Sequence, residues 1–167
     1  MKKNKDFSLV AVVVAIVFFV TAVIFGGIAL VLNVQFNIHC KQYLKRAADS
    51  NTVELAHEEL ENALKYIEDK GLTEGNTSLI IKSPENDIGF WYRNLKASYE
   101  ELENLDSNSS QLEKTNVLMK LRETLADEGN GTKITLPSNI HLYPYQRVII
   151  FVPIGCLIAA IIIIFKL

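Results

Sequence analysis

Two cysteines are too few to staple this chain into a fold. Cys40 lies several residues beyond one apolar run and Cys156 lies inside another, so a bond between them is not expected. Cys40 is left as a plain free thiol or, in an oxidising compartment, as half of an intermolecular bridge. Glycine and proline are missing altogether from Ile28 to Lys70, so a helix begun earlier meets no breaker there. CxxC pairs, phosphate-binding glycine loops and nucleophile constellations are also absent, which removes the sequence case for most catalytic chemistries.

The most consequential absence is of charge. None occurs from Phe7 to Leu32, where only Ser8 and Thr21 are polar, and none from Val148 to Phe165. About 20 apolar helical residues cross a bilayer core of about 30 Å. Both runs are therefore read as transmembrane helices, 7–32 and 148–165, around a polar segment 33–147. Residues 1–6 and 166–167 form short tails. Neither run carries an ionisable group at depth, which argues against a proton relay, ion pathway or transport site. The first run is far longer than the roughly 7–15 apolar residues of a cleaved signal, and no small-x-small site follows it.

Of the chain's 17 Lys and Arg, four (Lys2, Lys3, Lys5 and Lys166) lie outside the polar segment, as does only Asp6 among its 19 acids. The segment thus carries a net charge of about −5, which excludes nucleic acid as the expected partner, because that binding rests on basic patches. The lysines crowded before the first run, with a loop too long for its own charge to govern translocation, predict both termini in the cytoplasm. The expected site is the plasma (inner) membrane, with the large loop outside.

Helical spacing organises the loop. Asn51 and Glu54 read as a capping-box start, and Val53, Ala56, Leu60, Leu64 and Ile67 form one apolar stripe. Lys70-Gly71-Leu72 reads as a Schellman stop. A second helix is expected to start at Ser83-Pro84-Glu85, with Asp87 as a competing cap, and to carry Ile88, Trp91, Leu95, Tyr99 and Leu102 inward. Ser110 and Glu113 open a third, with Val117, Leu118, Leu121 and Leu125 inward and Gly129 or Gly131 as the stop. Leu79-Ile80-Ile81 and Ile134-Thr135-Leu136 are short enough to pair as a minor β-ribbon. The expected fold is mainly α: two transmembrane helices flanking a small extracytoplasmic helical bundle. Residues from about Asn51 to Gly131 are expected to fold without the membrane, with Trp91 in the core.

Candidate chemistry is sparse. Glu54 and His57 form half of a di-iron pattern that has no second copy, and His57 with Glu61 would need a third zinc ligand. His39, Cys40 and His141 flank the two apolar runs and would need to converge to hold a metal. No cofactor is expected. Sequons at Asn76, Asn108 and Asn130 matter only in a eukaryotic secretory pathway.

Association is better signposted. Ser8, Ala11, Ala15, Ala22, Gly26, Ala29 and Asn33 fall within an arc of about 60° on the first run, and Gly155 and Ala159 sit at small-xxx-small spacing on the second. This ridge is the expected helix-packing face toward a protein partner or a second copy, in a chain whose other partner is the lipid bilayer. Trp91, flanked by Phe90 and Tyr92, is a core residue by its place on the stripe and an interaction anchor by its chemistry. The expected function is a non-enzymatic membrane protein that binds another protein as an assembly, scaffold or accessory factor. A sensory ectodomain signalling by span movement is the alternative, since the layout alone resembles the sensing half of bacterial transmembrane receptors. A membrane-bound metal enzyme is the remote third.

Overall fold

The computed structural model describes residues 2–106, 108–127 and 133–166, with side chains described over 9–106, 108–127 and 133–162. It is mainly helical, with one two-stranded antiparallel sheet. The first helix does not stop at the end of its apolar run. Helix α1 (Lys2–Phe36) passes through a π turn (Asn37–Lys41) directly into α2 (Gln42–Asp49), as the missing glycine and proline allow. The apolar positions Phe36, Cys40, Leu44 and Ala48 are all buried. In an ideal α-helix, residues four apart drift by about 40°. The wider π turn counters that drift and keeps this line facing the core.

Helix α3 (Val53–Asp69) starts one residue later than the capping box predicts, with Thr52 Oγ1 accepting the Leu55 N–H at 3.3 Å. Its stripe buries Ala56, Leu60, Leu64 and Ile67. The stop is the predicted Schellman ending. Gly71 sits at φ +66°, its N–H donates to Glu68 O at 3.0 Å, and the Leu72 N–H donates to Ile67 O at 2.8 Å.

Asp87, not Ser83, caps α4 (Ile88–Glu103): its Oδ1 accepts the Phe90 N–H at 2.9 Å. Ser83-Pro84 opens only a 3-10 turn, Pro84–Asn86, because Asp87 is drawn into extended backbone that bridges Asn76. Helix α5 (Gln111–Leu125) starts on Ser110 as predicted, with the Glu113 N–H donating to Ser110 Oγ at 3.2 Å.

It ends at Leu125, short of the predicted glycines, which lie outside the described residues. Ala126 is extended there, because β1 (Ala126–Asp127) pairs antiparallel with β2 (Lys133–Ile134). This ribbon is not the predicted one. Leu79-Ile80-Ile81 makes no strand, since the Thr135 N–H already donates to Leu125 O at 2.9 Å and Thr135 O accepts the Trp91 indole N–H at 3.2 Å. The edge that Leu79–Ile81 needed is occupied.

The helices run alternately up and down. Tyr66 at the end of α3 meets Phe36 and His39, Tyr92 at the start of α4 meets Glu68, and Lys120 of α5 reaches Glu101 near the end of α4. Helix α5 also packs on α2, closing a four-helix bundle. A 3-10 turn, Ile140–Leu142, then leads to α6 (Gln146–Lys166), which packs along α1.

Among the described residues, one helix segment, Leu9–Asp49, is long and apolar enough to cross a membrane, while Gln146–Ile162 is a shorter apolar helix. Both expose large apolar side chains, Leu9, Phe19 and Leu30 on the first and Val148 and Ile158 on the second.

Candidate functional site

The chain's unusual surface gathers at one end of the bundle, where α1 and α6 leave it. The alternation of helices brings the end of α3, the start of α4, the end of α5 and the segment 135–145 to this level. An aromatic collar marks it: the Tyr66 ring meets Phe36 edge-on at 6.2 Å and stacks on His39 at 5.8 Å, with the Lys70 ammonium 5.7 Å from its centroid. Burial pushes the Tyr66 hydroxyl above its ordinary pKa.

From this level projects the loop after α3. Its base is tied by side chains. The Asn76 amide donates to Ser83 O at 2.9 Å and its Oδ1 accepts the Ser78 N–H at 2.9 Å, while the Asn86 amide donates to Ser78 Oγ at 3.1 Å. Gly75, at φ +110°, lies so close to Tyr143 that a Cβ there would collide with the phenol ring. Beyond the tied base, Ile80 and Ile81 are 87% and 80% exposed.

Beside the loop is a cleft of about 310 Å³ with Phe90, Trp91, Leu95, Leu136 and Pro137 in its walls and Glu85 and Asp87 at its edge. Trp91 itself is in the core, 8% exposed, with its N–H satisfied by Thr135 O; its neighbour Phe90 is 59% exposed. A second recess, of about 400 Å³, lies between the top of α1 and the segment 133–141. Lys41, Lys133, His141, Asn33, Asn37, Ser138 and Asn139 supply its polar lining, and no Asp or Glu is among its wall residues within the described part of the chain. Burial holds the His141 imidazole below its ordinary pKa.

The histidines and Cys40 do not converge. His39 stacks on Tyr66, His141 lines the recess, and Cys40 is fully buried with its thiol pushed far up by desolvation. His57 stacks on Tyr99 at 4.4 Å. No group of three His, Cys, Asp or Glu able to hold a metal occurs among the described residues.

The small-residue ridge is not what meets α6. Half-buried positions on α1 are Val10, Ala11, Val14, Phe18, Thr21, Phe25, Ala29 and Leu32, and on α6 Ile149, Ile150, Pro153, Cys156 and Ala160. Ala15, Ala22, Gly26, Gly155 and Ala159 are exposed, and a Cβ at Gly26 or Gly155 would meet nothing within 4 Å. Ala11 and Ala29 lie at the margin shared by the ridge and the packed face. Ala15, Ala22 and Gly26 are thus free within the chain, and the Ser8 side chain lies outside the described residues. The sequence pattern marks the Phe90–Trp91–Tyr92 cluster but places the anchor on Trp91 rather than on exposed Phe90, one residue off the α4 stripe, and it gives no sign that Lys41 and Lys133 share a recess.

Comparison with protein-family models, curated proteins and solved structures gives no match.

Proposed function

We propose that this chain is a non-enzymatic integral membrane protein whose helical bundle stands outside the cytoplasm and binds another protein. In this reading α1 and α6 both cross the bilayer, the second at the short end of the usual range of about 17–25 residues, and both termini lie in the cytoplasm. The exposed apolar sides of both helices and the tyrosines Tyr143 and Tyr145 just before α6 support the seating. Ile80 and Ile81, held out from the same end by a tied loop, would dip into the headgroup layer.

The observation that carries the interaction is the Phe90–Trp91 cleft. It is apolar, its floor is fixed by a hydrogen-bonded tryptophan, and Glu85 and Asp87 stand at its edge. Such a site fits a partner segment that inserts one apolar side chain beside a basic residue. The net acidity of the domain favours the same partner. The exposed ridge positions Ala15, Ala22 and Gly26 offer a further contact within the membrane, to that partner or to a second copy.

Phe90→Asp tests the reading. A partner that co-purifies in detergent and is identified by mass spectrometry should be lost from Phe90→Asp and kept by Leu112→Asp, which alters a still more exposed apolar residue at the far end of the bundle. An unchanged set of partners in Phe90→Asp would overturn it.

A sensory role is the second reading, favoured by one observation: α1 continues through the π turn into a core helix of the bundle without a break. A change in the bundle would pass straight to the span.

A further inference from the structure

We infer that the recess between the top of α1 and the segment 133–141 binds the phosphate of an anionic lipid headgroup. The inference rests on the membrane reading for its depth, and on the recess itself for its chemistry. Asn33 follows the last residue of the apolar run and lines the lower wall. Lys41 stands eight residues further along the helix, about 12 Å higher. The headgroup layer adds about 5–7 Å to each side of the hydrocarbon core. A phosphate in that layer would therefore sit inside the recess, between Asn33 below and a Lys41 stem long enough to reach down.

The walls suit a phosphate ester. Lys41 and Lys133 are exposed cations that form no ion pair among the described residues, and they come from different elements, the π turn and β2. Asn33, Asn37 and Asn139 bring amide donors, and His141 a ring that can donate. Among the described residues no carboxylate, which would repel the ligand, lines the walls, although the domain as a whole is acidic and Asp127 stands opposite Lys133 in the ribbon. Asn139 adopts a left-handed conformation, φ +56°, at the turn that leads into the wall. Neutral lipids also carry a phosphate, but their choline cation would face the two lysines; a headgroup with net negative charge would not meet that repulsion.

The test uses the full chain purified in neutral detergent. Its thermal midpoint is followed against short-chain phosphatidylglycerol, short-chain phosphatidylcholine and inorganic phosphate. Phosphatidylglycerol should raise the midpoint. Lys41→Gln/Lys133→Gln should weaken that binding about thirtyfold, from about 1 kcal/mol per interfacial lysine. Lys96→Gln, on α4 beside Glu68, should leave it unchanged.

An equal rise with inorganic phosphate, lost in the double variant, would support the same phosphate chemistry with a free anion as its source. An equal rise with phosphatidylcholine, a rise that survives the double substitution, or no rise with any of the three would overturn the inference. Retention in membranes after alkaline extraction is scored separately. Loss of retention fails the membrane reading, whereas retention without a lipid response fails only the recess.

Discussion

Trp91 has two chemistries, and burial assigns them to different parts of the ring. Its body fills the space between α4 and the segment after β2, and its N–H is matched by Thr135 O at 3.2 Å. Trp91→Ala should cost about 3–5 kcal/mol, read from thermal or denaturant unfolding of the whole chain, because it opens a cavity where the buried indole packs and removes its hydrogen bond to Thr135 O. Glu59 is buried at the α2–α3 contact and is paired by Arg46, whose own side chain is largely exposed. The pair is therefore asymmetric: Arg46→Ala strands a buried carboxylate and should cost about 2–3 kcal/mol, more than Glu59→Gln. A reversed order in unfolding experiments would show that Arg46 matters only as a surface charge. His141 gives a pH signature. Its folded-state pKa is lowered from 6.5 by burial, so the unfolded chain binds the extra proton first. The associated stability is complete above about pH 6.5 and is lost as pH falls through the lowered folded value. The thermal midpoint should drop on acidification through this window, and His141→Gln should flatten the drop.

At the scale of elements, the helix ends were legible to within a residue or a choice of two, because caps are local. Ser110 and Gly71 stand where the pattern puts them, Asp87 caps in place of Ser83, and Thr52 caps one residue after the expected Asn51. The ends decided by distant partners were not legible. Helix α5 stops where Ala126 finds Ile134, and Leu79–Ile81 stays a loop because Trp91 and Leu125 already use Thr135. The π turn had no local signature: it serves the alignment of Phe36, Cys40, Leu44 and Ala48 with a core the sequence does not display. The α1 ridge gives a prediction at this scale. Gly26→Leu has open space and should leave the fold and the α1–α6 contact intact, while abolishing association of the chain with its partner helix in a detergent cross-linking assay. Gly27→Leu, about 100° away around the helix, should associate normally. Equal behaviour of the two would strip the ridge of meaning.

For the whole molecule, the core extends beyond the predicted folding unit. Phe36, Cys40, Leu44, Ala47 and Ala48 lie before Asn51, and Ile134 and Ile140 lie after Gly131, yet all are buried with Trp91 in one cluster. A fragment 51–131 therefore lacks one of four bundle helices, and a soluble fragment needs α2 and the segment through Leu142 to close its core. Orientation is testable on the full chain. With Cys156→Ala and the buried Cys40 silent, a thiol at exposed Asn108→Cys should react with an impermeant reagent from outside the cell. In a double-membrane bacterium the reagent must reach the periplasm. Reaction only from the cytoplasmic face would reverse the topology.

The sequence by itself determined the charge-free runs, the helical stripes, the Ser110 cap and the Gly71 stop, because hydrophobic period and capping act within a few residues of chain. It also determined that Trp91 belongs to an apolar face. Only the tertiary structure decided that α2 completes the bundle, that α6 lies on the Phe18–Phe25 side of α1 and leaves the small residues free, and that Lys41, Lys133 and His141 share one recess. Those placements join residues more than 100 positions apart. They follow from how whole helices bury their faces against one another, and no local pattern encodes that choice.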